Sequence, residues 1–298
     1  ILVDVERGVL PQTRRHLYLA RLMRIPHIAI AVNKMDVLGY DEERFTAVRE
    51  QLVACAHTLG IDGLAVIPVS ALKGDMVVSR GANMDWCTGK TVLEFLETIP
   101  LAHEAPHAGL RMPVQLVLRP TDQFRGYAGE IVGGNVTAGD ELTVLPSGET
   151  ARVTSIISDR REQARAETGA PVVLTLDRAV DVSRGDVFAA GTLPRIAQEF
   201  EATLCWMSEE PLEKNRTYRI KHGTKTVHGF VKEFVRRVNV ETFAAEQTDV
   251  LRLNDIGVAV IKTHEPLVVE PYAVNRAMGS FIMIDEFTND TAGAGMIV

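Results

Sequence analysis

The chain has 298 residues, of which 46% are hydrophobic, so it is long enough to form more than one domain with a proper core. Its net charge of −7 argues against broad nucleic-acid binding, which depends on a basic surface. No apolar run reaches the length of a transmembrane helix, no signal peptide is visible, and the three cysteines are too few and too scattered for a disulfide framework or a zinc site. Composition therefore predicts a cytoplasmic protein that does not enter a membrane.

The first informative motif follows a predicted buried strand. Residues 28–32 are continuously apolar, as expected for a strand covered on both faces of a parallel sheet, and they lead directly into Asn33-Lys34-Met35-Asp36. Ligands of open α/β sheets bind just beyond such strand ends. An ionised Asp36 carries only acceptors, so it can take both the ring N–H and the exocyclic amine of guanine. Asn33 can donate to the base and tie loops together, and the alkyl stem of Lys34 can lie along the base with its ammonium in water.

A second strand and loop support this guanine interpretation. Apolar residues recur at helical spacing over 41–59, and another short apolar strand follows at 66–69, which together predict a strand, helix, strand crossover. That strand leads into Ser70-Ala71-Leu72, whose backbone N–H groups can meet the guanine oxygen. Each motif alone also fits a simple helix cap. Their combination predicts a guanine-nucleotide site.

The phosphate-handling parts of a GTPase are not recognisable in the sequence. A GTPase needs the loop G-x-x-x-x-G-K-[ST], a magnesium-binding aspartate and water-positioning switches. The nearest string, Cys-Thr-Gly-Lys-Thr at 87–91, lacks the first glycine and a preceding buried strand, so we interpret it as a polar loop that caps a helix at 92–98. Because the chain begins on Ile1 within a strand-like run, we expect the phosphate loop and the Mg²⁺ ligands in a missing N-terminal part. We assign no catalytic and no metal-binding residue, and we expect the fragment alone not to hydrolyse GTP.

Beyond about residue 100 the pattern changes to short strands separated by glycine turns, after a segment of linker composition at 101–109. The first set of strands suggests a small closed barrel, with segments at 114–118, 127–132, 141–145, 151–157, 171–176 and 186–189. A second set, from about residue 200 to the end, has its clearest strands at 217–221, 226–238, 256–263 and 280–285. The predicted fold class is multidomain, α/β plus all-β: the C-terminal half of a P-loop GTPase parallel-sheet domain at 1–104, then β-barrels at 105–196 and 197–298.

This layout resembles the translation elongation factor class, and residues 8–16 look like the helix that follows the second switch of that class. More specific strings are similar to the family of large GTPase subunits of bacterial heterodimeric ATP sulfurylases. These strings lie at 74–80, 83–86, 91–96, 124–129, 144–148, 220–224, 275–281 and 293–296. The resemblance spans essentially the whole chain.

The resemblance implies a function for the complete protein. It would bind and hydrolyse GTP with Mg²⁺ while a smaller adenylyltransferase subunit transfers the adenylyl group of ATP to sulfate, which gives adenosine 5′-phosphosulfate. The implied partners are that small subunit, in a heterodimer, and an adenylylsulfate kinase that is fused or associated. The implied guanine-binding residues are Asn33, Lys34, Asp36, Ser70, Ala71 and Leu72.

Two other functions stay open at this point. A translation factor that carries aminoacyl-tRNA has the same three-part layout, although the acidic balance and the direct passage from Trp86 to the helix near Leu93 argue against it. A nucleotide-free scaffold made of the two barrels is the second, and it requires that the chain is naturally this short.

Two groups of polar residues in the barrels have both a binding and a structural interpretation. His222, with Lys221 and Lys225 beside it, is compatible with an anion site, but a hairpin turn with solvated lysines is favoured. Asp122, Arg125 and Tyr127, in a predicted loop, are compatible with a contact to the small subunit or to the switches of the nucleotide domain, but a structural corner in which Arg125 braces a turn is favoured.

Overall fold

The structure is a computed structural model that describes residues 1–100, 109–121 and 124–298. Its contacts divide the chain into two compact units, Ile1–Glu104 with Asn239–Ala244, and Ala105–Val238 with Ala245–Val298. Residues 101–108 of the predicted linker, and Asp122, lie outside the described residues. The division into three domains at 104/105 and 196/197 stays a prediction.

Three parallel strands, in the order β1-β2-β3, form the sheet of the first unit. Along the chain the three strands alternate with three helices. The elements are β1 (Leu2–Asp4), α1 (Pro11–Leu22), β2 (Ala29–Asn33), α2 (Glu42–Thr58), β3 (Ala65–Pro68) and α3 (Val92–Thr98). In the register, Asp4 lies beside Asn33, and Val32 lies beside Pro68. Because parallel strands end at the same edge, the polar residues that follow β1, β2 and β3 meet there.

Helix α2 confirms the predicted crossover between β2 and β3. Its buried face consists of Phe45, Val48, Leu52, Cys55 and Ala56, which recur at helical spacing. The Asp41 side chain begins the helix, since its carboxylate accepts hydrogen bonds from the backbone N–H groups of Glu43 and Arg44, at 2.8 and 3.1 Å.

Helix α3 confirms the interpretation of 87–91 as a capping loop. Thr91 accepts a hydrogen bond from the backbone N–H of Glu94, and the Glu94 carboxylate accepts one from the backbone N–H of Thr91, which is a reciprocal capping box. Lys90 donates to the Thr98 hydroxyl, 2.7 Å away. The Gly-Lys-Thr string therefore stabilises its own helix.

The second unit contains two closed barrels of six strands each. The first consists of β4 (Arg111–Thr121), β5 (Phe124–Glu130), β7 (Glu141–Leu145), β8 (Thr150–Ser158), β11 (Pro171–Leu176) and β12 (Val187–Ala189), with the short strands β6 (Asn135–Thr137), β9 (Arg161–Gln163) and β10 (Arg165–Glu167) beside them. The order β11-β5-β4-β12-β7-β8 is closed by pairing of β11 with β8. Closure removes the free sheet edges.

The second barrel consists of β13 (Arg195–Trp206), β14 (Thr217–His222), β15 (Lys225–Val238), β17 (Ile256–Val269), β18 (Ser280–Ile284) and β19 (Thr291–Ile297), with β16 (Ala245–Glu246) at its side. The order β14-β18-β19-β13-β17-β15 is closed by pairing of β14 with β15. Trp206 and Tyr218 meet edge to face in its core, with ring centroids 5.5 Å apart. The predicted pair of barrels is confirmed.

The strand predictions fail chiefly at the borders and at one glycine-rich segment. Strand β13 begins at 195 where the pattern indicates about 200, and β17 runs to 269 where the pattern indicates 263. The sequence pattern also does not single out β19, which contains two glycines. These glycines are required by packing, because a Cβ on Gly295 would lie 2.1 Å from the Phe281 ring and one on Gly293 would lie 2.7 Å from the Trp206 ring.

The two barrel polar groups have structural roles. His222 is buried in β14, and its ring nitrogens each lie 2.9 Å from a backbone carbonyl, those of Ser280 and Val268. The ring therefore serves the barrel interior, at the end of the predicted hairpin between β14 and β15. The prediction of solvated lysines is wrong for Lys225, which is only 20% exposed and pairs with Glu265. Arg125 and Tyr127 lie in strand β5 and not in the predicted loop, and the Arg125 guanidinium lies over the Tyr127 ring, 5.5 Å from its centroid. Among the described residues, no helix is both long enough and apolar enough to cross a membrane.

Candidate functional site

The ends of β2 and β3 bring the two predicted guanine motifs into direct contact. The Ser70 hydroxyl, fully buried, donates to Oδ1 of Asp36 over 2.6 Å. Oδ1 of Asn33 accepts the backbone N–H of Ala71 over 2.9 Å. Both contacts join residues more than thirty positions apart, so each loop fixes the orientation of the other. A carboxylate that is held in this way meets a ligand without first having to be ordered.

A short helix presents Asp36. The 3₁₀ helix Met35–Leu38 begins after Lys34, whose φ of +70° lies in the left-handed region, and ends at Gly39, whose φ is +62°. Met35 is the variable position of the N-K-x-D pattern, but its side chain is fully buried and its backbone N–H donates to Val69 O over 3.2 Å. The buried methionine thus anchors the helix while the residues on either side face outward.

Lys34 has a charged partner that the motif does not predict. Its Nζ lies 2.8 Å from Oδ2 of Asp4 at the end of β1, whereas the sequence suggests an ammonium in water. The hydrogen bond from Lys34 lowers the pKa of Asp4, and the same contact raises the pKa of Lys34. Lys34 is still 53% exposed, so its alkyl stem remains available to a flat ligand.

The loop after β3 offers fewer free N–H groups than the sequence suggests. The N–H of Ala71 is bound to Asn33, that of Lys73 to the Ser70 hydroxyl at 3.2 Å, and that of Gly74 to Ser70 O at 2.8 Å. Within the described part of the chain, the Leu72 N–H has no such acceptor, and the Leu72 side chain is 81% exposed. Leu72 can therefore contribute its backbone, and its side chain points away from the packed core.

The six predicted residues, Asn33, Lys34, Asp36, Ser70, Ala71 and Leu72, thus lie at one edge of the sheet. Sequence reasoning missed Asp4, because only the pairing of β1 with β2 brings it beside them. These hydrogen-bonding groups are compatible with guanine. The half-buried Asp36 carboxylate can accept two N–H groups, and the backbone N–H of Leu72 can donate to a carbonyl oxygen. In the described ranges, no group of three or more His, Cys, Asp or Glu side chains could hold a metal ion.

Comparison with known proteins agrees with this geometry. Residues 1–105 match the family described as the elongation factor Tu GTP-binding domain, and residues 199–298 match the family described as GTP-eEF1A C-terminal domain-like. A solved structure of Sup35 complexed with GDP superimposes with a TM-score of 0.60 at 22% identity, over 96% of this chain and 72% of that one, which supports the fold alone. The fold and these two matches confirm the predicted fold class, which is part of a GTP-binding domain followed by two β-barrels.

The relatives are more specific. Sulfate adenylyltransferase subunit 1 of Alteromonas mediterranea is 41% identical, over 100% of this chain and 64% of that protein. The bifunctional enzyme CysN/CysC of Rhodopirellula baltica is 40% identical, over 100% of this chain and 46% of that protein. Over its whole length the chain is therefore similar to sulfate adenylyltransferase subunit 1, and the resemblance that its motifs indicate is confirmed. It spans 64% of the length of the Alteromonas protein.

Proposed function

We propose that this chain is the guanine-reading and barrel part of a sulfate adenylyltransferase GTPase subunit. The complete protein would couple GTP hydrolysis to the formation of adenosine 5′-phosphosulfate from ATP and sulfate. The observation that carries the proposal is the Asn33, Asp36 and Ser70 corner, which has the donor and acceptor pattern of a guanine site in a chain 41% identical to a sulfate adenylyltransferase subunit.

The residues of the site divide the recognition of guanine between them. The Ser70 hydroxyl occupies Oδ1 of Asp36 and so orients the carboxylate, which takes the ring N–H and the exocyclic amine. We assign the guanine oxygen to the Leu72 N–H, because the neighbouring loop amides are bound within the protein. The stem of Lys34, held through its ammonium by Asp4, would cover one face of the base. Adenine lacks the donor pair that Asp36 requires, so GTP would be selected over ATP.

GTP supplies a driving force that sulfate activation needs. The mixed phosphate–sulfate anhydride of the product is a high-energy bond, so its formation from ATP and sulfate is uphill. Hydrolysis of a second nucleotide advances such a reaction only if the nucleotide states differ in their affinity for the partner's states. We assign no residue of this chain to Mg²⁺ or to the hydrolytic step.

The proposal includes the partners of the complete protein. A small adenylyltransferase subunit would carry ATP and sulfate, and the two subunits would form a heterodimer in the cytoplasm. An adenylylsulfate kinase, fused or associated, would use the product. Relatives named as subunit 1 and as a bifunctional enzyme support these assignments.

Reconstitution tests the proposed activity. The complete gene product, purified with a small adenylyltransferase subunit, should form adenosine 5′-phosphosulfate from ATP and sulfate faster and to a greater extent with GTP than without it. The measurement is the amount of labelled product against time, with GDP in place of GTP as the control. Equal product with GTP and GDP would refute the coupling. Copurification of aminoacyl-tRNA in place of an adenylyltransferase would favour the translation factor.

Base specificity tests the site itself. Asp36→Asn in the complete protein should weaken GTP binding by about tenfold or more and favour xanthosine triphosphate, because the amide can donate to the extra carbonyl oxygen of xanthine. Competition binding with both nucleotides measures the change in preference. Asp62→Asn makes the same chemical change at an exposed position between α2 and β3 and should leave the preference unaltered. An Asp36→Asn protein with wild-type preference would remove Asp36 from the site.

A further inference from the structure

A buried carboxylate lies behind the loop that follows β3. Asp75 is only 7% exposed. Asn83 donates from Nδ2 to Oδ2 of Asp75 over 3.0 Å, and interaction with the same carboxylate raises the pKa of the Tyr40 hydroxyl. We call Tyr40, Asp75 and Asn83 the Asp75 cluster. None of its members belongs to the six residues assigned to guanine.

The cluster joins the two guanine loops from behind. Tyr40 lies just after Gly39, at which the 3₁₀ helix that carries Asp36 ends, and its backbone N–H donates to Met35 O over 2.9 Å. Its φ of +64° lies in the left-handed region, which a tyrosine adopts only when its surroundings hold it. The Trp86 indole supplies part of that hold, since its Nε1 donates to Tyr40 O over 3.1 Å. The Tyr40 backbone is thus held at both its N–H and its carbonyl oxygen.

The other end of the cluster determines the path of the second guanine loop. The backbone N–H of Ser70 donates to Asp75 O over 3.1 Å, and that of Gly74 donates to Ser70 O over 2.8 Å, so residues 70–75 form a closed turn. Asp75 therefore closes the turn that contains Ser70, which hydrogen-bonds to Asp36, and Leu72, whose backbone N–H is assigned to guanine. A shift of Asp75 would move both groups.

The chain also closes over the carboxylate. A Cβ on Gly81 would lie 1.9 Å from Oδ1 of Asp75, and Gly81 has a φ of +71°, so only glycine fits there. A backbone packed this closely against a buried carboxylate leaves Asp75 a single position.

We propose that Asp75 is a positioning residue for guanine recognition, which acts by holding the turn at 70–75 against Asn83 and Tyr40 and hence against the helix that carries Asp36. This proposal rests on the proposed function, since it concerns the same guanine site. Asp75 makes its contribution through hydrogen bonds that hold two loops in register, and it does not touch the base.

The test compares variants of the complete protein in equilibrium binding and release of fluorescent GDP. Asp75→Ala and Tyr40→Phe should each weaken GDP binding, the first by roughly tenfold, with most of the change in the dissociation rate. Asp75→Asn should stay within about threefold of the wild type, because its amide oxygen accepts from Tyr40 and its amide N–H₂ donates to Asn83 once the Asn83 amide has rotated. Rescue by this conservative variant distinguishes hydrogen-bonded positioning from loss of charge.

Two controls separate positioning from general loss of stability and from failure of the proposed function. Val48→Ala truncates a buried residue of α2 away from the site and should lower the melting temperature while the GDP affinity stays unchanged. Wild-type affinity in both Asp75→Ala and Tyr40→Phe, or an Asp75→Asn protein as weak as Asp75→Ala, overturns this proposal alone. Should Asp75→Ala fail to fold, Tyr40→Phe decides the outcome. A wild type that binds ADP as tightly as GDP overturns the proposed function itself.

Discussion

At the scale of single residues, Asp4 and Lys34 show how an ion pair can serve a binding site without contributing much to stability. Lys34 is 53% exposed, so water and salt screen its attraction to Asp4. The more important effect is geometric, because the pair fixes a flexible lysine beside the position assigned to the base. The lowered pKa of Asp4 is the thermodynamic consequence of this contact.

The pH dependence of the pair follows from the direction of that shift. Since the pKa of Asp4 is lower in the folded chain than its ordinary value of 3.8, the pair contributes stability above pH 3.8 and loses it as the pH falls through the folded pKa. Asp4→Asn should therefore be less stable than wild type at pH 7, and the difference should shrink as the solution is acidified below pH 3.8. Urea unfolding of both proteins at several pH values measures it. A difference that stays constant into acid would show that Asp4 acts through its shape alone.

The candidate site was predictable only where its residues are close in sequence. Asn33, Asp36 and Ser70 stand in short motifs after apolar strands, so both their identity and their place at a strand end follow from the pattern. Asp4 reaches Lys34 through strand pairing, and Asp75 reaches Tyr40 across a loop. Such contacts depend on tertiary structure, and no spacing rule in a single sequence reports them.

At the scale of elements, β19 shows why local propensity failed. Glycine weakens an isolated strand, so the sequence Thr-Ala-Gly-Ala-Gly-Met-Ile at 291–297 does not look like one. In the barrel, however, the flanking strands place Phe281 and Trp206 over the two glycines, and the rings fill the space that side chains would take. The strand is therefore specified by its neighbours, whereas 141–145 and 171–176 match their predicted bounds from their own β-branched content.

A substitution within β19 tests this explanation. Gly295→Ala should destabilise the protein by about 1–3 kcal/mol, because the new methyl group would overlap the Phe281 ring and force it from its position. Denaturant unfolding measures the free energy. Thr291→Ala, at the exposed start of the same strand, should have little effect. Combining Gly295→Ala with Phe281→Leu should recover part of the loss, and strict additivity of the two changes would contradict the packing argument.

At the scale of the whole molecule, the two barrels are connected through a buried ion pair. Arg111 in β4 is 2% exposed, and its Nε and Nη2 donate to Oε1 of Glu270, just after β17, at 2.9 and 2.7 Å. The same guanidinium donates to Leu110 O and to Thr192 O. Apolar residues from both barrels surround this contact region, among them Leu145, Val187, Ala189, Val268 and Met278. The barrels therefore share a core and should unfold together.

Removal of one partner of this pair should be costly. Arg111→Ala should lower the free energy of unfolding by about 3–5 kcal/mol, because the buried Glu270 carboxylate would lose two hydrogen bonds from the guanidinium. The double variant Arg111→Met with Glu270→Leu should lose less, since no buried charge remains. Denaturant unfolding measures all three proteins. Lys232→Ala is the control, because Lys232 and Glu199 form an equally short pair, 2.6 Å apart, whose side chains are 48% and 45% exposed, and its loss should cost under about 1 kcal/mol. If Arg111→Ala and Lys232→Ala lowered the free energy of unfolding equally, the buried pair would not be an important link between the barrels.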